Sequence, residues 1–247
     1  MAISYIIKVL VLSLTAGGAT FFGVFLGHKF SRGNKISFGA SFAAAIMILI
    51  SLLELLPEAV KESNFQTALL YALLGAAAIF IANKIIPHIH SVKDIENCDD
   101  KCLVKLSYLL TIGLILHDFP EGFAIPSSFG QSTSLGFIVV IASFIHNIPE
   151  GYALTVAADR KKGFSFYYRS ALFSTLASFG GAVFGLFLLN SFPGLNAVFL
   201  AFAAGAMLFI CGHELIPMAH KYKIGADLFQ GFGLAALIYI ILRLIFH

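Results

Sequence analysis

Two short phrases hold most of the groups in this chain that could do chemistry. Residues 116–124 read LHDFPEGFA and residues 145–153 read IHNIPEGYA. Each sets a histidine, a second polar residue, a proline, a glutamate and a glycine within apolar sequence. On a helix, His117 and Glu121 stand one turn apart and share a face, with Asp118 beside Glu121 on the neighbouring row. His146, Asn147 and Glu150 repeat the pattern.

The flanking sequence is apolar enough to carry both phrases into a lipid bilayer, where an ionised carboxylate costs about 3 kcal/mol or more. No Lys or Arg lies between Lys105 and Arg160 to neutralise Asp118, Glu121 and Glu150. A divalent metal ion, or protons, must do so. Imidazole with carboxylate suits borderline ions such as zinc, iron(II) and manganese(II), and is too rich in nitrogen for a dedicated calcium or magnesium site. The bland alternative is a hydrogen-bonded scaffold in which Pro-Gly only kinks a helix, and the recurrence of the whole phrase argues against it. Pro120 and Pro149 lack an N–H and so free the carbonyls of Leu116 and Ile145. Gly122 and Gly151 are expected to let the two motif helices approach closely and bring their side chains together.

The elements that must position these groups follow from composition. The chain has 247 residues, 59% hydrophobic and 12% charged, with a mean hydropathy of +0.90. Soluble domains carry about 25% charged residues, so this chain reads as an all-α integral membrane protein, a single transmembrane domain over 1–247. Eight apolar segments can be drawn, over about 4–28, 36–60, 66–87, 104–127, 133–158, 168–190, 194–219 and 226–246. The breaks between them carry turn chemistry, including PSSFGQSTS between the fourth and fifth. The first segment is long enough to span and lacks a signal-peptide cleavage pattern, so it is expected to stay as a helix. Residues 88–103 form the longest connection.

The cations give an orientation. Of 16 Lys and Arg, all but Lys8, Lys61 and Arg243 fall in the odd-numbered loops or at their edges. By the positive-inside rule those loops are cytoplasmic and both termini lie outside. The net charge of +3 gives no sign of a nucleic-acid partner, and three cysteines cannot all pair. With 26 Phe, 8 Tyr and no Trp, the FSFYYR stretch at 164–169 reads as an interface belt.

An internal repeat is also present. Segment two ends SLLELLPEAVKE and segment seven ends CGHELIPMAHKY. Both contain Glu-Leu-(Leu/Ile)-Pro, and the two segments run in opposite directions, as do the two motif segments. The order is three helices, a motif pair, then three helices: an inverted 3+2+3 repeat of the kind that places a transport site near the bilayer midplane.

The paired HDFPEG and HNIPEG phrases, the eight segments and the HELIP segment together resemble the ZIP (Zrt/Irt-like) family of divalent-metal transporters, over the whole chain. The resemblance implies import of zinc, and also iron, manganese or cadmium, into the cytoplasm by alternating access. The metal is cargo, and no catalytic cofactor is implied. It gives His117, Glu121, His146 and Glu150 as primary ligands, with Asp118 and Asn147 in the second position of a binuclear centre. Two departures bear on that second position. Asp118 stands where the family commonly has Asn, and the place of a family glutamate on the sixth helix holds Ser178 within STLASFGGA. Asp118 is expected to supply the anionic oxygen that Ser178 does not.

Further groups are candidates at the ends of the path. His213, Glu214 and His220 fit a release route, or an interfacial histidine and a snorkelling glutamate. HELIP is no metalloprotease motif, because Pro217 stands where the second histidine would be. Glu54 and Glu58 fit an entrance, or headgroup-level carboxylates. His88, His90, Cys98, Asp99, Asp100 and Cys102 fit either a metal-capturing loop or plain solvated chain. The expected partners are divalent metal ions, the lipid bilayer of a plasma (inner) membrane and a second copy of the chain in a homodimer. The rival readings are a metal-selective channel, an intramembrane metalloenzyme and a proton-linked carrier of an organic solute.

Overall fold

A computed structural model describes residues 3–30, 36–85, 100–157, 164–221 and 226–246. Among these residues all regular structure is helical, as apolar segments require when backbone groups must be satisfied without water. The helices are α1 (Ile3–Phe30), α2 (Ile36–Ile50), α3 (Leu56–Glu62), α4 (Phe65–Ile85), α5 (Asp100–Gln131), α6 (Thr133–Ala157), α7 (Phe164–Ser191), α8 (Asn196–Ile210), α9 (Ile216–Lys221) and α10 (Ala226–Phe246). A five-residue π turn, Ser51–Leu55, joins α2 to α3, and a second, Cys211–Leu215, joins α8 to α9. Each turn contains the Glu-Leu of the repeated phrase, and each is followed by a helix whose second residue is the proline. The two copies of the phrase therefore share a local conformation as well as a sequence.

Seven stretches of described helix are long and apolar enough to cross a membrane: Ile3–Lys29, Ser37–Glu62, Phe65–Ile85, Thr133–Thr155, Ser165–Ser191, Pro193–Leu215 and Phe229–Phe246. The chain is a multi-pass membrane protein. The expected count of eight is met in part. The fourth segment forms one helix, α5, which carries His117, Asp118, Glu121, Pro120 and Pro126 and is not among the seven stretches found in the described residues.

Segment boundaries also shift. The sequence suggests a broad turn over PSSFGQSTS, yet α5 runs through Pro126 to Gln131 and α6 starts at Thr133. Serine chemistry explains it. Ser127 Oγ donates back to the Phe123 carbonyl, and Ser132 Oγ accepts from the Leu135 N–H as the cap of α6. A stretch of turn-forming residues here extends one helix and starts the next.

The helices form two groups. In one, α1 packs on α6, α5 on α7, α1 on α7, and α5 on α6. In the other, α4 packs on α8 and α10 on α2, with α3 and α9 at their ends. The groups meet where α2 touches α6 and where α8 touches α5. The main core lies along this seam and includes Ile46, Met47, Leu55, Ile125, Leu200 and Met207. The lipid-facing sides of α4 and α10 expose Leu70, Leu73, Ile81, Leu237 and Ile240.

Glycines set the spacing inside the first group, with partners other than the expected ones. A Cβ on Gly122 would run into the Ser178 carbonyl of α7, and one on Gly151 into the Thr20 carbonyl of α1. The motif glycines thus seat a flanking helix against each motif helix, rather than the two motif helices against each other. The flanking helices return the contact. Gly181 of α7 lies against the Phe119 carbonyl, and Gly23 of α1 against the Ile148 carbonyl.

Candidate metal centre

The two motif helices gather His117, Asp118, Glu121, His146, Asn147 and Glu150 into one buried cluster, each with 7% exposure or less. The rings of His117 and His146 stand 6.4 Å apart, centroid to centroid. Carboxylates cross between the helices. Glu121 Oε2 of α5 is 2.9 Å from His146 Nε2 of α6, and Glu150 Oε1 of α6 is 2.9 Å from His117 Nε2 of α5. Glu150 Oε1 is also 4.0 Å from His146 Nε2.

The hydrogen bonds of His146 fix what its second nitrogen can do. Nδ1 lies 2.9 Å from the Ala142 carbonyl oxygen, which can only accept, so Nδ1 carries a proton. In the neutral ring Nε2 then offers a lone pair toward Glu121, itself an acceptor. Two acceptors 2.9 Å apart need a cation between or beside them, either a proton or a metal ion. A carbonyl holding the far nitrogen is the usual arrangement for a metal-ligating histidine.

Other atoms have the same need. Asp118 Oδ1, Asn147 Oδ1, Ser178 Oγ and Glu150 Oε2 are buried without a hydrogen-bond partner, and His117 Nε2 and Glu150 Oε1 have only their contact with each other and the longer one to His146. Buried polar atoms left unpaired cost about 1–3 kcal/mol each, so a cluster of them marks a place built for a ligand. His117, Glu121 and His146 can bring one ligand atom each within 4.8 Å of one another, and so can His117, Asp118 and Glu150. His117 is common to both sets.

Neighbours hold the cluster in place. Asn147 Nδ2 donates to Glu121 Oε1 at 3.2 Å and to the Ala16 carbonyl of α1 at 3.0 Å. Ser174 of α7 donates to Asp118 Oδ2. Ser178, one turn further along α7, is fully buried. Sequence reading misses Ser174 and the Ala16 and Ala142 carbonyls. The signal for Ser174 is its one-turn spacing from Ser178; the carbonyls leave none.

The end-of-path candidates lie apart from this cluster. Glu54, in the first π turn, is buried and accepts from the Tyr239 hydroxyl at 2.5 Å, with Arg243 Nε at 3.9 Å. Glu58 pairs with Lys61 at 2.5 Å and accepts from Gln131 Nε2 at 3.1 Å. Glu214, in the second π turn, accepts from Asn83 Nδ2 at 3.0 Å. His213 stacks on Phe209 with centroids 5.1 Å apart. His220 lies in α9, and Asp100 and Cys102 in α5, but their side chains fall outside the described residues, as do His88, His90, Cys98 and Asp99 entirely.

A helical multi-pass fold around a buried cluster of imidazole and carboxylate groups defines a membrane protein whose interior carries groups that could hold a metal ion. The family model described as ZIP Zinc transporter matches residues 96–241. The chain is 36% identical over 225 residues, 86% of each chain, to a protein of Escherichia fergusonii named Zinc transporter ZupT. Proteins of that name from Salmonella newport and Salmonella dublin are 34% identical over the same length and coverage. The chain belongs to the ZIP family.

Proposed function

We propose that this protein carries divalent transition-metal ions, zinc foremost, across a membrane into the cytoplasm by alternating access. His117, Glu121, His146 and Glu150 bind the ion, and Asp118 and Asn147 hold a second position beside it. The observation that carries the reading is the pair of buried, crossed His–Glu contacts, acceptor against acceptor at His146 and Glu121, with no Lys or Arg paired to them among the described residues. Family membership and the names of the relatives support zinc as cargo. Iron, manganese and cadmium are further substrates by ligand chemistry.

In this reading α5 is the eighth span, both termini face outward, and the chain is an inverted repeat. Support comes from the matched π turns and from contacts that recur between equivalent helices. Glu54 and Glu58 line the approach from outside. His213, Glu214, His220 and the loop from His88 to Cys102 receive the ion inside. The group containing α1, α5, α6 and α7 moves against the other along the α2–α6 and α5–α8 seam. The protein works as a carrier, with no enzymatic step.

The test is uptake of zinc, iron(II), manganese(II) and cadmium into liposomes by the native chain and by His146→Ala. Saturable native uptake with loss of at least about tenfold in the variant is expected, since ligand loss removes a bond to every ion in the panel. Equal uptake by the two would overturn the proposal.

A further inference from the structure

The core of the seam between the two helix groups is apolar, and one end of it is tied by hydrogen bonds. At the end of α5 the Gln131 side chain makes two such bonds, and both cross the seam. Its Nε2 donates to Glu58 Oε2 of α3 at 3.1 Å, and its Oε1 accepts from Asn196 Nδ2 of α8 at 3.4 Å. Lys61 holds the other oxygen of the Glu58 carboxylate at 2.5 Å. Donors thus run from Asn196 through Gln131 to Glu58, with both ends of one amide in use. By contrast, the bonds of Asn147 and Thr175 to α1, of Tyr239 to Glu54 and of Asn83 to Glu214 each stay inside one group.

Three observations separate this contact from ordinary packing. The neighbouring part of the seam is aromatic, where Phe123 of α5 meets Phe199 and Phe202 of α8 at centroid distances of 5.7 and 6.3 Å. Ring packing tolerates a small slide of one helix on the other, whereas hydrogen bonds weaken steeply once distance and angle are lost. The amide therefore sets the register that the rings leave loose. Next, Asn196 is 8% exposed, and its Oδ1 is buried without a partner. Packing alone would favour an apolar residue over an amide left half-satisfied. The repeat shows that choice. In the register that lays Met47, Glu54 and Pro57 on Met207, Glu214 and Pro217, the place of Asn196 is taken by Ile36 and that of Glu58 by Met218. Neither offers the amide or carboxylate that Gln131 uses, so the polar tie belongs to one end of the repeat. Finally, α5 is also the helix of His117, Asp118 and Glu121, and Gln131 stands roughly 15 Å along it from Glu121.

We infer that Gln131 is a latch that holds the outer end of the seam shut, and that its bonds to Glu58 and Asn196 break each time the cluster opens outward. The inference rests on the proposed reading that the two groups move against each other and that the end of α5 faces outside. Closed, the latch fixes the ligand-bearing helix to α3 and α8. Open, it frees α5 to move with α1, α6 and α7. Because the other copy of the repeat has Ile36 and Met218 in the matching places, the latch stabilises one closed end over the other. Gln131 touches no ion and acts only through the position of α5.

The test uses the full-length chain with Cys98→Ser, Cys102→Ser and Cys211→Ser as background. Ala203→Cys serves as reporter, because Ala203 is fully buried in α8, about two turns further in than Asn196. In intact cells a membrane-impermeant thiol reagent should label the reporter slowly. Adding Gln131→Leu should raise the labelling rate at least about fivefold, the effect of losing a net hydrogen bond or more. Zinc affinity by calorimetry should change less than about threefold, since the latch and the cluster are well separated. An unchanged labelling rate overturns the inference, and zinc binding retained in that protein shows that the His/Glu reading survives. A second measurement joins Gln131→Cys to Asn196→Cys in the same background with a short bis-methanethiosulfonate linker. The joined protein should bind zinc but carry none into liposomes, and reduction with dithiothreitol should restore uptake. Uptake by the joined protein at the rate of the unjoined one also overturns the inference, because the latch would then have no need to open.

Discussion

Gly122 offers the sharpest test of how the cluster is held together. A methyl group placed there meets the backbone carbonyl of Ser178, an atom that cannot rotate away as a side chain could. To restore van der Waals contact, α5 and α7 must part by roughly 1–1.5 Å. Overpacking costs about 1–3 kcal/mol, and a backbone obstacle puts Gly122→Ala at the upper end, about 3 kcal/mol. The same displacement draws Ser174 away from Asp118 and moves one wall of the ion site. Gly151→Ala should behave alike, since its methyl would meet the Thr20 carbonyl of α1. Gly180 supplies a control on α7 itself, because a Cβ there has nothing within 4 Å. Thermal unfolding in detergent should rank Gly180→Ala within about 0.5 kcal/mol of native and the other two well below it, with zinc uptake into liposomes falling in the same order. Native stability and uptake in Gly122→Ala would refute the close-packing argument and, with it, the role given to α7 in shaping the site.

Three other outcomes concern the metal, and a fourth the anchors of the π turns. Zinc at about 100 times its dissociation constant should stabilise the protein by about 2.7 kcal/mol, seen as a higher melting temperature, and a His117→Ala, His146→Ala double variant should show no rise. Affinity measured by calorimetry should fall as pH is lowered, by up to about tenfold per pH unit for each ligand that must release a proton; a flat profile would count against histidine ligation. Asp118→Asn should reduce the number of zinc ions bound per chain, and an unchanged stoichiometry would remove Asp118 from the second position. Tyr239→Phe takes from the buried Glu54 carboxylate its 2.5 Å donor and should cost about 1.5–3 kcal/mol, whereas Asn83→Ala, at the half-buried Glu214, should cost about 0.5–1.5 kcal/mol. Melting curves in the reverse order would show that the two anchors have been misjudged.

Apolar run length and one-turn spacing are enough to read the helices and the six clustered residues from sequence. A helix fixes which of its own residues share a face, so His117 with Glu121, and His146 with Glu150, can be placed on one face from spacing alone, while their crossed pairing cannot. Which helix sits on that face is a tertiary matter. Periodicity within α7 does not reveal that Ser174 reaches Asp118, and nothing in α10 announces Tyr239 as the partner of Glu54. The motif glycines show the same limit. Their small size signals a close approach, but the approaching helix is the flanking one. The π turns are illegible because the extra residue is absorbed into a continuous helical run, and SLLEL and CGHEL share no break signal of their own.

Comparison of the two copies of the repeat separates what the architecture needs from what the chemistry needs. The features they share are His117 with His146, Glu121 with Glu150, Gly122 with Gly151, Glu54 with Glu214, and the prolines that follow both π turns. These supply the candidate ligands, the helix spacing and the local form of the two π turns, which the two copies have in common. Differences between the copies include Asp118 against Asn147 in the candidate cluster, and Tyr239 with Arg243 against Asn83 as anchors of a carboxylate. A carrier made of two identical halves would bind equally from either side and hold both ends of its path with equal strength. In this chain the carboxylate of the first π turn is buried and held by a phenol with a guanidinium nearby, while that of the second is half-buried and held by an amide. The first carboxylate is the more strongly anchored of the two, and Asp118 against Asn147 gives the two sides of the candidate cluster different donor groups. For the carrier proposed above, the direction of transport and the choice of ion are therefore to be sought in these mismatched positions rather than in the phrases the two halves share.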